Sequence, residues 1–480
     1  MAFASLFRNL PRSGGKILVA FASQTGAAER IAWLSANALA AGGKHVVRAA
    51  PLGGLSLAEI AEAGTLLVVT STYGAGEAPD SARAFVRKLM AQIPTLKGLS
   101  YGVLALGDMK YDATFCGFGK SLDRWLASAG ARRLFEIVCV NGDDDAPAMT
   151  KWSRQLNRLG AQTSAEALMP GPPQDWVLEE RRLLNPGGSE AWHLGLRPKD
   201  PAQLNWTAGD IAEIWPRNSE DAATAFLARH GLDGEMSFRW RGQWSFLRDI
   251  IAHSRLPQPH EVEGIALQWL VDRLESFASR EFSIASLPQQ GRMELLVRKA
   301  VKDDGSLGLG SGWLTQGCTM GGVVKLRLRP NPNFHPPGAK ENSAAPQLLI
   351  GAGTGIAGLR AHLLHRQRKK LGDAWLLFGE RTRAADLFYG DDLKAWQADG
   401  TLARSDLVFS RDAVPKKYVQ HLVAEQGEEI GRWVRERGAS VLVCGGLAMA
   451  AGVQEALAAI LGEDRLDQMT QDGLYRRDVY

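Results

Sequence analysis

Short apolar runs alternate with amphipathic stretches of helical length through the first 160 residues. Lys16–Phe21 is apolar and ends in Ser-Gln-Thr-Gly, after which apolar positions recur at helical spacing from Ala27 to Ala41. The same strand–loop–helix unit returns at Thr65–Thr70, followed by a Gly-rich loop, and at Tyr101–Leu106, followed by a loop and a helix over Gly119–Ser128. A further strand, Leu134–Val140, leads into an acidic loop. Strands that alternate with helices predict a doubly wound parallel sheet over 16–160. The run MPGPPQ at Met169–Gln174 has the Pro and Gly of a linker, placed at 161–174.

From Trp176 the texture changes. Short strand-like pieces separated by Pro, Gly and Asn run to about Pro216 and again from Arg280 to Leu328, as in an antiparallel barrel. Between them, Ala222–Leu274 reads mainly as helix, an insertion in a barrel domain spanning 175–338. Beyond the Pro-rich stretch Pro330–Pro337, alternation resumes over 345–480, with strands at Gln347–Ile350, Trp375–Phe378, Asp406–Phe409 and Val441–Cys444. This predicts a second parallel α/β domain and an α/β multidomain chain.

Composition narrows the function classes. The net charge of +4 over 480 residues gives no reason to expect nucleic acid. No apolar run is long enough to span a bilayer, and Met1–Leu10 lacks the apolar core and cleavage site of a signal peptide. Cys116, Cys139, Cys318 and Cys444 have no metal-ligand or disulfide spacing, so no metal site and a reducing, cytoplasmic setting are expected. Basic residues outnumber acidic ones through Gly160, yet the predicted loops there carry Glu77, Asp80, Asp108, Asp112 and Asp143–Asp145.

Three loops in the first domain sit where such sheets bind ligands. Ser23, Gln24, Thr25 and Gly26, followed by Ala27, supply hydroxyls and amides at a helix start, suited to an anion. Ser71, Thr72, Tyr73, Gly74 and Gly76 form the second loop; Leu106, Gly107, Asp108 and Tyr111 form the third. Either Tyr alone could pack on its own loop, whereas two of them could sandwich a flat aromatic ligand. In this order the loops resemble those of flavodoxin and of the flavodoxin-like domain of diflavin reductases. The resemblance implies FMN, its phosphate on the first loop and its ring between the other two. Ala27 departs from the Thr or Asn often found there.

The later motifs resemble the same family. Arg280, Phe282 and Ser283 match an RxYS pattern in which the Arg holds the FAD pyrophosphate and the Ser approaches the flavin; Phe282 replaces the usual Tyr. Gly308, Gly310 and Ser311 resemble the second FAD-phosphate loop. Asn205–Asp210 resembles a barrel turn and is given a structural role. Gly353, Thr354 and Gly355 stand at the nicotinamide loop. Ser410 and Arg411, with Lys417, Tyr418 and Gln420, resemble the element that selects NADPH through its 2′-phosphate. Cys444 precedes Gly445 where the family places a thiol near the nicotinamide, and the chain ends RRDVY, with Asp478 supporting hydride transfer and Tyr480 covering the FAD ring.

The resemblance covers Lys16 to Tyr480. It implies a flavodoxin-like domain, a ferredoxin-reductase-type FAD barrel with a shortened helical insertion, and an NADPH domain. The implied cofactors are FMN, FAD and NADPH, with Ser283, Cys444, Asp478 and Tyr480 at the centre of the chemistry. The implied activity moves electrons from NADPH through FAD to FMN. They then pass to a separate haem or iron–sulfur protein, such as that of a sulfite reductase, docking on the acidic rim near FMN. Two alternatives stay open: a reductase of ferric-siderophore or other small acceptors, and a flavin-binding interaction module whose reductase half has decayed.

Overall fold

The computed structural model describes residues 15–74, 76–142, 145–240, 243–262, 264–337, 344–412 and 414–480. Met1–Leu10, Asp143 and Asp144 lie outside the described residues. The chain divides into two compact units. One runs up to Gly171 and includes Leu461–Arg476; the other is Pro172–Ile460 with Arg477–Tyr480.

In the first unit a parallel sheet is ordered Val46–Pro51, Lys16–Ala22, Thr65–Ser71, Ser100–Gly107, and both Arg132–Arg133 and Val138–Asn141 pair with the last of these. The central strands are buried on both faces, which is why they read as continuous apolar runs. Leu18, Ala20, Val68, Val103 and Ala105 pack into one core; Ile17, Val19, Val69, Leu104 and Leu106 pack into the other. The predicted strand at Leu134–Val140 is broken. After Leu134, whose N–H still reaches Tyr101 O (2.8 Å), residues 135–137 leave the ladder, and Phe135 packs edge-on against Trp152 instead. The strand Val46–Pro51 was not foreseen; only Val47 and Ala50 are buried in it, and Arg48 and Pro51 are exposed. The segment predicted as a linker also differs. Helix Ala165–Leu168, capped by Ser164, packs Ala165 and Leu168 into the first unit's core.

The second unit holds two sheets. An antiparallel sheet is ordered Arg280–Ser283, Ile211–Trp215, Val323–Arg329, Gln174–Leu183, Ala191–Pro198, Met293–Arg298. The Ile284–Leu295 bridge joins its two edges, closing a barrel around Trp176, Leu194, Ile214, Leu295 and Leu326. The insertion is less helical than its sequence suggests. Helices Glu220–Arg229, Leu247–Ala252 and Leu267–Arg273 surround an antiparallel hairpin, Ser237–Trp240 with Gln243–Phe246.

The other sheet is ordered Leu402–Phe409, Ala374–Glu380, Gln347–Ala352, Ser440–Gly445, Tyr475–Val479. The chain order reverses beside Gln347–Ala352, and the crevice at such a switch point is where ligands bind. No described helix is long and apolar enough to cross a membrane.

Candidate functional site

The three loops of the first unit meet at the carboxyl ends of its strands. Gln24 N donates to Ser71 Oγ (3.2 Å) and Thr72 N to Leu106 O (3.0 Å), so each loop is tied to the next. Gly26 opens helix Ala27–Ala41 at φ 88°, a left-handed conformation that suits glycine, and no side chain caps the helix. The sequence assigned Gln24 to the ligand, but its amide is committed within the protein. Nε2 donates to Asp80 (2.9 Å) and Oε1 accepts from Asp80 N (3.0 Å). Tyr111 stands 64% exposed beside the half-buried Tyr73 loop. The Thr72 hydroxyl is buried with no hydrogen-bond partner among the described residues. An orphaned hydroxyl, an uncapped helix start and an exposed phenol fit a phosphorylated aromatic group. Asp145 does not belong to a free acidic rim. It caps helix Ala146–Arg158, accepting from Ala148 N (3.1 Å) and Asn141 N (3.1 Å).

In the second unit, residues distant in sequence converge. Ser283 Oγ donates to Asp478 Oδ2 at 2.6 Å, and Cys444 Sγ approaches the same oxygen at 3.7 Å. Burial raises the Asp478 carboxyl above its ordinary value; burial and the Asp478 charge raise the Cys444 thiol. Tyr480 is docked rather than frayed. Its N–H donates to Gly445 O (3.2 Å), its carbonyl accepts from Leu447 N (3.2 Å), and its hydroxyl lies 2.7 Å from Thr354 Oγ1. The residue remains 54% exposed. At Gly355 a Cβ would lie 2.1 Å from Cys444 O, so only glycine lets the turn approach that strand. Gly358 lies under the thiol; a Cβ there would sit 3.1 Å from Cys444 Sγ and 3.6 Å from Ser283 Cβ.

Arg280 Nη1 donates to Ala278 O (3.0 Å) and Ser279 O (2.8 Å), and its stem packs against Gly310. The adjoining Phe282 ring is half-buried. Ser311 differs from its expected role as a ligand donor. Its hydroxyl accepts from Ala300 N (3.1 Å) and donates to Gly308 O (3.4 Å), holding its own loop. In the Asn205–Asp210 turn, Trp206 Nε1 bonds Ser286 O (2.9 Å) while Asp210 accepts from Thr207 N, Asn331 N and His335, the structural role expected.

A cavity of about 470 Å³ opens beside Gly353. It is lined by Ser410, Lys417, Tyr418 and Gln420 as the sequence suggests, and also by Arg298, Glu380 and Arg381. Arg411 is exposed and does not line it. Arg298 pairs with Glu380 and lies 3.8 Å from Asp386; Lys417 pairs with Glu425. Burial raises the Glu380 carboxyl despite Arg298. The sequence reading missed Arg298, Glu380 and Arg381. An Arg just past the predicted strand Trp375–Phe378 was the available signal for Arg381; nothing local marked Arg298. Three cations and two hydroxyls around one cavity fit a phosphorylated coenzyme.

A buried ionic network lies between barrel and sheet. Arg360, on helix Ile356–Arg368, bonds Glu294 (2.7 Å), Asp392 (2.8 Å) and Ala285 O (2.7 Å). Arg292 also reaches Glu294 (3.0 Å), and His193 Nδ1 lies 3.1 Å from the Tyr389 hydroxyl.

Comparison with known proteins bears on these sites. The flavodoxin family model matches residues 19–166, and that of the oxidoreductase NAD-binding domain matches residues 349–455. The chain is a flavoprotein oxidoreductase that joins a flavodoxin domain to an oxidoreductase NAD-binding domain. It is 29% identical over 550 residues to the sulfite reductase [NADPH] flavoprotein alpha-component of Vibrio cholerae serotype O1, covering 98% of this chain and 88% of that protein. To the protein of the same name from Vibrio parahaemolyticus it is 28% identical over 557 residues, covering 98% and 87%. To that of Shewanella sp. (strain ANA-3) it is 27% identical over 550 residues, covering 97% and 89%. The joined Ser283, Asp478 and Cys444 favour an intact reductase half over the decayed-module alternative.

Proposed function

We propose that this NADPH-dependent diflavin reductase delivers electrons to a separate haem or iron–sulfur protein, the partner subunit of a sulfite reductase in the first instance. Its cofactors are FMN, FAD and NADPH. The observation that carries the reading is the meeting of Ser283, Cys444, Asp478, Thr354 and Tyr480, which come from four distant parts of the chain. The flavins, when bound, convert the electron pair of a hydride into single electrons.

The chain's own residues do the positioning. Ser23, Thr25, Gly26 and Thr72 would hold the FMN phosphate and Tyr73 and Tyr111 its ring; Arg280, Phe282 and the Gly308–Gly310 backbone would hold FAD. Ser410, Lys417 and Arg381 would hold the coenzyme phosphates. Asp478 Oδ2 takes hydrogen bonds from Ser283 and Cys444, fixing both donors at one point. Its raised carboxyl can carry a proton there. The docked Tyr480 ring closes the site until the coenzyme displaces it. The four cysteines are free thiols, which supports a cytoplasmic setting.

The test is reconstitution. Fully loaded protein is denatured and its flavins separated, and the native protein is mixed with a sulfite reductase haem subunit under NADPH. One FMN and one FAD per chain with sulfite-dependent NADPH oxidation support the reading. Recovery of a single flavin type refutes the diflavin assignment, and NADPH oxidation that ignores the haem subunit while reducing ferric chelates favours the small-acceptor alternative.

A further inference from the structure

Cys116 and Cys139 flank the turn Gly107–Tyr111, and the reductase chemistry uses neither. Cys116 follows that turn in a left-handed conformation (φ 57°) and is buried where helix Gly117–Ser128 begins. Its Sγ donates to Ala105 O at 3.1 Å. Ala105 is the register partner of Cys139 on the neighbouring strand Val138–Asn141. All three residues pack against the same core on one face of the sheet. The two side chains are therefore neighbours on that face. Cys139 is half-buried and so open to a small reagent.

Both cysteines are coupled to the turn. A Cβ at Gly107 would lie 2.7 Å from Cys116 N and 3.2 Å from Cys116 Sγ, so no slack separates them. Two residues past Cys139, Asn141 Oδ1 accepts from Met109 N (3.0 Å), and Gly142 N donates to Gly107 O (2.9 Å). The neighbouring Cys116 thiol and the charge of Lys120 lower the Cys139 thiol below its ordinary value, despite burial. A lowered thiol favours the thiolate, the reactive form.

We propose that Cys116 and Cys139 form a reversible dithiol–disulfide pair whose oxidation by a small-molecule disulfide loosens the turn Gly107–Tyr111. The proposal rests on the reading that this turn holds FMN. The Cys139 thiolate attacks one sulfur of the small disulfide, forming a mixed disulfide and releasing one small thiolate, which takes up a proton. Cys116 gives its proton to solvent and attacks the Cys139 sulfur, forming the internal bond and releasing the second small thiol. The protein loses two protons and two electrons; the small disulfide takes them up and is reduced to two thiols. A disulfide sets its sulfurs ~2.0 Å apart, closer than unbonded thiols can approach. Cys116 must therefore move, and Gly107 moves with it.

The experiment uses the full-length, flavin-loaded protein incubated with oxidised glutathione. Intact mass, non-reduced peptide mapping and FMN retained after filtration are read together. We expect a loss of two hydrogens per chain and a peptide linking Cys116 to Cys139. FMN dissociation should rise about ten-fold, equivalent to about one lost hydrogen bond, with FAD retained. Dithiothreitol should reverse all three changes. Cys139→Ser should show none of them, and Cys116→Ser should stop at a glutathione adduct on Cys139. Absence of the linked peptide, or a lone adduct on Cys139 in the parent, overturns the pair. A linked peptide with unchanged FMN retention overturns its coupling to the turn. Parent protein that binds FAD but never FMN sinks the FMN reading instead, while the linked peptide still decides the pair.

Discussion

Replacing Arg360 with Met tests whether the buried network sets both stability and alignment. Arg360 is 8% exposed and Glu294 4% exposed. Burial alone would raise the Glu294 carboxyl, but the charge of Arg360 holds it below its ordinary value. Removing the guanidinium leaves that carboxylate charged and only partly compensated by Arg292 at 3.0 Å. Breaking a buried pair from one side costs roughly 3–5 kcal/mol, and the surviving Arg292 contact places this case near the lower end, about 3 kcal/mol. The Asp392 contact adds little, because that carboxylate is 37% exposed and solvent screens it. For a unit of this size about 3 kcal/mol lowers the melting temperature by roughly 6–12 °C. Calorimetry on Arg360→Met, Glu294→Gln and the double variant measures it. The cost comes from an uncompensated charge, so Glu294→Gln should recover part of the loss when added to Arg360→Met. Arg360 also holds Ala285 O, two residues past Ser283, against the helix that follows Gly355. Flavin reduction at saturating NADPH should therefore slow in Arg360→Met even at temperatures where it is fully folded. A double variant as unstable as the sum of its parts, or a loss below about 1 kcal/mol, would refute the charge-burial argument.

Lys417→Ala should raise the KM for NADPH about ten- to a hundred-fold and leave NADH nearly unchanged, since one charge-assisted phosphate contact is lost. Arg411→Ala, outside the cavity, should change neither, and equal losses with both coenzymes for Lys417→Ala would point to a structural role. Tyr480→Ala should lower the NADPH-to-NADH ratio of kcat/KM, because the weaker coenzyme gains more when no ring must be displaced. An unchanged ratio at full FAD content would rule out a lid, whereas FAD loss would show that the ring retains the flavin. His193 faces Tyr389, Glu180, Glu294, Arg182 and Arg360, and burial lowers its pKa from 6.5. The fold favours the neutral ring, so the stability tied to it is full above pH 6.5 and is lost as pH falls below that. Melting curves from about pH 8 to about pH 5 should show a shallower acid slope for His193→Gln than for the parent, with His253 and His365 supplying the remainder. Parallel slopes would contradict the assignment.

Much of this architecture was legible in the chain. Strands buried on both faces must be continuous apolar runs, so Lys16–Ala22, Thr65–Ser71, Ser100–Gly107 and Gln347–Ala352 declared themselves within a residue or two. Loops at strand ends carry small, hydroxyl and aromatic residues for chemical reasons, and those residues named the candidate sites. Edge strands such as Val46–Pro51 and Tyr475–Val479 carry charge and stayed hidden, as did the hairpin Ser237–Phe246, because their pairing is decided by neighbours rather than by local pattern. The same limit applies to single side chains. Gln24, Asp145 and Ser311 had the right chemistry for a ligand, but each is engaged by a protein group that folding brings to it. Arg298, Arg381 and Arg360 carry no motif at all, and only tertiary packing turns them toward the cavity and the barrel–sheet junction. The sequence by itself determined the layers and the loops that ring each site. Only the tertiary structure decided which polar groups face a ligand, since each hydrogen bond depends on where distant backbone comes to rest.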